Sequence, residues 1–217
     1  MSISSYVIAA ICGNFAHESN VNPGVWESLI PSTFDHQYEY DGIGGYGLGQ
    51  WTNVGTPHGR LWDMYSWVTA NGYIPSDGNG QLAFVVHENV WYNYTGTYNS
   101  LSDFLNSTST DLYQLTYEWF RNWEGINDGS FSSRYSYAQT FLSYINEHIN
   151  DDPSTYEWIS SNEYLSTSQM CNNAMCVYFY LNGDTPPTPP TPPTPDVMFI
   201  IKRNRLSRRK KFIPIDN

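Results

Sequence analysis

A proline repeat near the carboxyl end limits where this chain can form a folded core. Residues 185–195 read TPPTPPTPPTP, and proline lacks the N–H group and the backbone freedom that helices and sheets require. Such a segment adopts extended polyproline II at about 3.1 Å per residue, roughly 34 Å in all. We therefore treat residues 185–195 as a stiff linker that joins a folded unit within residues 1–184 to a short tail, residues 196–217.

The charges differ on the two sides of this linker. Residues 1–184 carry three cations (Arg60, Arg121 and Arg134) and 19 carboxylates, whereas the tail carries seven cations and two aspartates. Because an acidic surface repels nucleic acid, we do not expect the first unit to bind it. For the tail we expect docking to another protein; binding of DNA or an anionic polymer, and a solvated terminus, remain alternatives.

Apolar residues recur at helical spacing through most of residues 1–150. The stripes predict helices around Val7–Phe15, Leu61–Val68, Leu82–Val90, Ser102–Leu105, Leu112–Phe120 and Tyr137–Ile149. We expect the first of these helices to be capped by Ser4 or Ser5 and to end near Ser19.

The remaining part of this unit differs in composition. Residues 31–57 are rich in Gly, Tyr and Asp, which predicts a hairpin or an extended loop. We therefore expect a mainly α-helical domain over residues 1–150 with a small β or loop lobe. Residues 151–184 form a flanking extension that we expect to pack on this domain.

Cysteine usage and hydropathy bear on the compartment. Three cysteines are too few for a disulfide framework, and an odd number cannot all pair. We therefore expect synthesis in a reducing compartment, with a local Cys171–Cys176 disulfide as the alternative. No apolar run approaches the roughly 20 residues that a membrane span needs. The amino-terminal segment lacks the basic region of a signal peptide, so we interpret it as the first helix of the mature domain.

Glu18 is the first candidate for chemistry. Val7, Ile11 and Phe15 share one face of the first helix, and the spacing places Glu18 on that face, directed toward the core. Burial and the negative end of the helix dipole both disfavour a charged carboxylate there. A carboxyl group that keeps its proton is what a glycosidase needs as its general acid. A helix-end glutamate bonded to a loop N–H is the alternative.

Three segments carry a resemblance to known proteins. Residues 17–23 (HESNVNP) resemble the Glu-Ser-x-x-Asn-Pro motif of soluble lytic transglycosylases and goose-type lysozymes, and residues 45–52 (GYGLGQWT) resemble their Gly-Leu-x-Gln segment. With Gly13-Asn14 ahead of the glutamate and Gln-Trp-Thr after the glycines, the combination is similar to the phage tail lysozyme family. Residues 120–125 (FRNWEG) fit a later segment of that family, and the resemblance covers about residues 3–149.

The resemblance implies a lysozyme-like fold with a substrate cleft and Glu18 as the catalytic acid. Ser19 would orient Glu18, and the second motif would contribute Tyr46, Gln50 and Trp51 to substrate binding. The residues themselves agree with this, since glycine lets a ligand approach the backbone and Gln50 offers both a donor and an acceptor to an N-acetyl group. A glycine-rich hairpin without a ligand role is the alternative.

The second carboxylate is open at this point. Glu27, Asp35, Glu39 and Asp41 lie between the two motifs, and an inverting enzyme needs a base about 6.5–9.5 Å from the acid. We prefer Asp41, which enters the glycine-rich segment, and take Glu124 as a second candidate for the site. Each of them is a surface charge in the alternative interpretation.

The activity that the resemblance implies is cleavage of the β-1,4 bond between N-acetylmuramic acid and N-acetylglucosamine in peptidoglycan. The alternatives are a lytic transglycosylase that leaves 1,6-anhydro ends and a catalytically silent glycan-binding or structural tail module. We expect no cofactor and, from the histidine spacing, no metal. The expected location is the virion tail, reached from the host cytoplasm without a signal peptide. There it would open the wall for DNA entry, with glycan strands as substrate and other tail proteins as partners of residues 196–217.

Overall fold

The computed structural model describes residues 2–34, 44–54 and 58–183 of the chain. Its α-helices are α1 Ser5–Ser19, α2 Arg60–Ala70, α3 Gly78–Glu88, α4 Leu101–Leu105, α5 Leu112–Asn122, α6 Phe131–His148 and α7 Thr167–Leu181. The prediction of a mainly α-helical domain is confirmed. In the described part of the chain, β pairing is limited to two isolated antiparallel bridges, Trp26 with Tyr46 and Tyr46 with Trp51.

Helix α1 forms the centre of the core. Its residues from Val7 to Ala16 are all buried, and it packs against α6, α5 and, less extensively, α7. The Ser4 side chain accepts a hydrogen bond from the N–H of Val7, which caps the helix at one of the two predicted positions. The helix ends where Asn20 adopts a left-handed conformation with φ of 56°. Residues on every face of α1 are therefore buried, not only those of one apolar stripe, and Glu18 lies in the last turn of this helix.

Gly13 lies at a position where α6 approaches α1 closely. A Cβ atom at Gly13 would lie 2.5 Å from the backbone oxygen of Arg134 and 2.7 Å from the Cβ of Ala138. Any side chain there would push the two helices apart. This glycine therefore lets α6 bring Arg134 alongside the end of α1.

Helix α7 belongs to the same core, although sequence periodicity did not predict it. Ser166 and Gln169 form a capping box at its amino end, a signal that the sequence does contain. Asn173, fully buried in α7, donates hydrogen bonds to the backbone oxygens of Val21 and Ile159. The cysteines, two of which lie on this helix, are all buried and unpaired, so the alternative of a local disulfide is wrong.

The helices that the structure describes include none that is long and apolar enough to cross a membrane. The linker over residues 185–195 and the basic tail over residues 196–217 lie outside the described residues, so their predicted roles remain predictions.

Candidate active site

The two sequence motifs meet at the end of α1. Ser19 is 2 % exposed, and its hydroxyl oxygen lies 3.0 Å from the backbone oxygens of both Phe15 and Leu48. Ser19 therefore joins the last turn of α1 to the glycine-rich segment from inside the protein, and its hydroxyl does not reach the surface.

Tyr46 and Trp51 are buried residues that support the turn carrying Gln50. Their backbones pair with each other, with N···O distances of 3.2 and 3.1 Å, and close the turn over residues 47–50. Both side chains are buried, at 5 % and 1 % exposure, and the Tyr46 ring packs on Trp26. The backbone of Gly47 in this turn has φ of 72°, which favours glycine. The turn thus holds Gln50 at the surface, where its Nε2 donates to the Gly47 oxygen at 3.1 Å.

Glu18 is paired with a buried guanidinium. Its carboxylate accepts a hydrogen bond from Nη2 of Arg134, whose side chain is 1 % exposed, while the Glu18 side chain is 20 % exposed. Arg134 is held in turn by Ser130, whose hydroxyl lies 3.0 Å from Nε, and by the backbone oxygen of Asn14 at 3.4 Å. The sequence led us to expect apolar surroundings for Glu18. The structure gives it a charged partner and an opening to solvent.

Glu124 lies on the far side of the same guanidinium. Its Oε1 is 3.9 Å from Nη1 of Arg134, and its side chain is 7 % exposed. Burial, reinforced by the negative charge of Glu18, raises the pKa of Glu124 well above its ordinary value, against the opposing effects of Arg134, Arg60 and the Trp119 indole. Glu124 is therefore a buried carboxyl that holds its proton more tightly than a free one.

Arg60 completes this group of charges. It makes two hydrogen bonds to Glu88, at 2.5 and 2.9 Å, and its guanidinium lies 5.1 Å from the centre of the Trp123 ring. Burial lowers the pKa of Arg60, but its bonds to Glu88 and the charge of Glu124 outweigh burial and hold it above its ordinary value. Carboxylates and guanidinium groups thus alternate from Glu88 to Glu18.

A cleft of about 230 Å³ opens beside Glu18. Its walls include Glu27, Gln50, Trp26 and Tyr164, so it combines carboxylates, an amide and aromatic rings. Such a mixture suits a ligand that has both apolar faces and polar groups.

Comparison with known proteins identifies the family of this chain. Residues 1–145 match a family model described as phage tail lysozyme. The chain belongs to the phage tail lysozyme family. This is a family of lysozyme-like, peptidoglycan-degrading tail proteins, and the match ends within α6, so α7 lies outside it. No curated protein matches the chain.

Of the site residues predicted for this lysozyme-family chain, Glu18 and Gln50 border the cleft. Ser19, Tyr46 and Trp51 are buried and do not line it, and Glu124 is buried behind Arg134. Asp41, the preferred second carboxylate, lies outside the described residues, as do Asp35 and Glu39. Glu27 does border the cleft; its Oε2 accepts a hydrogen bond from the N–H of Gly45 at 3.2 Å.

His17 is a further titratable group at the cleft. Its Nδ1 lies 2.9 Å from the hydroxyl oxygen of Ser133 on α6. Burial of part of the ring, and then the positive charge of Arg134, lower the pKa of His17. Among the described residues, no group of His, Cys, Asp and Glu side chains is arranged to hold a metal ion.

Sequence reasoning missed Arg134, Arg60 and Tyr164. A signal for the two arginines was present, because residues 1–184 contain only three cations in an excess of carboxylates. Cations this scarce are expected beside carboxylates that the fold buries. Tyr164 carried no such signal, because it lies far along the chain from both motifs.

Proposed function

We propose that this protein hydrolyses the β-1,4 bond between N-acetylmuramic acid and N-acetylglucosamine in peptidoglycan, with Glu18 as the proton donor. The observation that carries the proposal is that Glu18 borders the cleft while its carboxylate is held by a buried guanidinium. The side chain is thus both accessible to a glycan strand and fixed in direction.

The arrangement fixes the Glu18 carboxyl group beside the cleft and supplies a partner for the charge that it carries after proton transfer. When Glu18 gives its proton to the glycosidic oxygen, it becomes negative, and Arg134 already lies where that charge forms. Burial keeps Glu124 protonated over a wider pH range, so this second carboxyl competes less for the charge of Arg134. In this proposal Arg134 is a positioning and charge-stabilising residue.

The base that activates water is the second part of the proposal. Glu27 is the carboxylate that the described residues bring to the cleft together with Glu18. Asp41 remains the candidate from the sequence. Replacing each by its amide, as Glu27→Gln and Asp41→Asn, separates them: the base variant should lose about two orders of magnitude in turnover, whereas the other should stay within a few-fold of the original protein.

The central test compares Glu18→Gln with Glu147→Gln, an identical change at an exposed position of α6. We expect Glu18→Gln to lower turnover on purified peptidoglycan by at least about 10², since general acid catalysis supplies roughly 10²–10⁴. Glycan binding should persist in this variant. If the unaltered protein releases no muropeptides but still binds glycan, the chain is a silent binding module and the proposal is wrong.

A lytic transglycosylase would use the same acid but a different nucleophile. The 6-hydroxyl of the sugar would then replace water and leave a 1,6-anhydro end. We propose hydrolysis because the family match is to a lysozyme and because Glu27 provides a second carboxylate at the cleft. Mass spectrometry of the released muropeptides tests this, since anhydro products are lighter by one water.

The biological setting of this proposal is the virion. The family match is to a tail lysozyme, and local cutting of the wall from a tail would open a path for DNA entry. The basic residues 196–217 would anchor the protein to other tail proteins, with residues 185–195 as the spacer.

A further inference from the structure

The segment formed by residues 156–166 lies beyond the family match, yet it is attached to the loop that follows Glu18. Asn22 is fully buried, and its Nδ2 donates hydrogen bonds to the backbone oxygens of Ser161 at 2.7 Å and Glu163 at 2.8 Å. Two hydrogen bonds from one buried amide fix this segment against the loop that follows Glu18.

Asn162 makes the reciprocal connection. Its Oδ1 accepts a hydrogen bond from the N–H of Trp26 at 2.9 Å, and its Nδ2 donates to the backbone oxygen of Leu29 at 2.9 Å. The side chain of Asn162 therefore bridges both ends of the loop that carries Glu27. Segment 156–166 and this wall of the cleft form one hydrogen-bonded unit.

Tyr164 projects from this unit into solvent. Tyr164 is 62 % exposed and borders the same cleft as Glu18, whereas the next residue, Leu165, is 6 % exposed and packs in the core. An aromatic ring on a backbone held at both sides loses little further freedom when a ligand covers it. Trp26, the other large ring at this wall, is 8 % exposed and offers little free surface.

We propose that Tyr164 stacks on a hexosamine ring of the bound glycan strand, and that residues 156–166 are a substrate-binding wall supplied from outside the matched family region. A flat ring with a hydroxyl at its edge suits a sugar with an apolar face and polar rim. The inference rests on the proposed function for its substrate class.

The test compares Tyr164→Ala with Tyr164→Phe and with the control Tyr113→Ala. Tyr113 is 53 % exposed on α5 and is not among the residues that border the cleft. On a soluble glycan, Tyr164→Ala should raise KM roughly three- to tenfold with little change in kcat. Tyr164→Phe, which keeps the ring, should stay within about twofold of the original protein, as should Tyr113→Ala. An unchanged KM, or an equal rise in Tyr113→Ala, would overturn the proposal.

A binding measurement separates this inference from the proposed activity. Calorimetry with a tetrasaccharide of alternating N-acetylglucosamine and N-acetylmuramic acid is carried out in the Glu18→Gln background, where cleavage does not interfere. Loss of affinity on adding Tyr164→Ala supports the stacking role even if the unaltered protein proves inactive. Equal affinity with and without the ring rejects that role even if the protein is an active hydrolase.

Asn162→Ala tests the wall as a unit. This change removes both hydrogen bonds to the Glu27 loop, so Tyr164 should lose its fixed position and KM should rise. If Asn162 affects KM by positioning Tyr164, the double variant Asn162→Ala/Tyr164→Ala should raise KM no more than Tyr164→Ala does. If the two effects instead multiply, Asn162 does not act by positioning Tyr164.

Discussion

Arg134→Met is the most informative single change in this protein. The variant keeps much of the side-chain volume but removes a guanidinium that is 1 % exposed and bonds to Glu18, Ser130 and Asn14. Removal of one partner from a buried ion pair costs about 3–5 kcal/mol when the other charge stays buried. Here Glu18 is 20 % exposed and can turn toward water, so we expect a smaller cost of about 2–3 kcal/mol.

Urea denaturation measures this loss. With an m value of about 1–3 kcal/mol/M, the unfolding midpoint should fall by roughly 0.7–3 M. A double-mutant cycle with Glu18→Gln then isolates the pair, and we expect a coupling free energy of about 1–2 kcal/mol. Arg121→Met is the matched control, since Arg121 is another of the few cations of this unit and lies 5.4 Å from the Tyr94 ring centre rather than at Glu18.

Activity gives the second measurement of this variant. If Arg134 stabilises the ionised form of Glu18 in the transition state, Arg134→Met should lower turnover by about 10²–10³ under conditions where it is fully folded. A coupling free energy below about 0.5 kcal/mol, which is the ordinary scatter of additivity, would refute the idea that the two residues act as a pair.

Three further changes test other parts of the structure. Glu124→Gln removes a carboxyl whose folded pKa is raised above 4.5; the proton it holds contributes stability that is complete below pH 4.5 and is lost as pH rises through the folded pKa. Between pH 4.5 and 8, the unfolding free energy of the original protein should therefore fall relative to that of the variant. Parallel pH curves for the two proteins would contradict this. Gly13→Ala should cost about 1–3 kcal/mol because its Cβ would overlap α6, while Gly129→Ala, with nothing within 4 Å of its Cβ, serves as the control for melting temperature. Deletion of residues 185–217 should leave cleavage of soluble glycan unchanged and abolish incorporation into virions; normal copy number in particles would place the anchor within residues 1–184.

Local signals explain why much of the fold could be predicted from sequence. The Ser4 cap, the end of α1 near Ser19 and the apolar stripe of α5 are decided by residues a few positions apart. Helix α6 begins at Phe131, before its predicted stripe. Ser130, which precedes the helix, and Arg134 in its first turn contact each other at the site, so they add nothing to an apolar stripe.

The site itself was only partly accessible to such reasoning. Glu18 and Gln50 belong to compact motifs, so their identity is visible in short stretches of chain. The pairing of Glu18 with Arg134 joins residues 116 positions apart, and no periodicity encodes it. The structure raises the pKa of Glu124, a shift that no sequence pattern predicted, because burial depends on what the rest of the chain places around each carboxyl.

The ion pairs that Arg60 and Arg134 form within residues 1–184 affect how this acidic unit would bind a glycan. Arg60 and Arg134 are committed to Glu88 and Glu18, which leaves few positive charges to offset the many carboxylates of residues 1–184. Such a surface gains nothing from long-range attraction to an anionic wall. Under the proposed function, we therefore expect affinity for a glycan strand to come from short-range contacts that do not depend on net charge, such as hydrogen bonds to Gln50 and stacking on Tyr164. These contacts act only after the strand has reached the cleft, so we expect delivery to be supplied by whatever binds the basic tail.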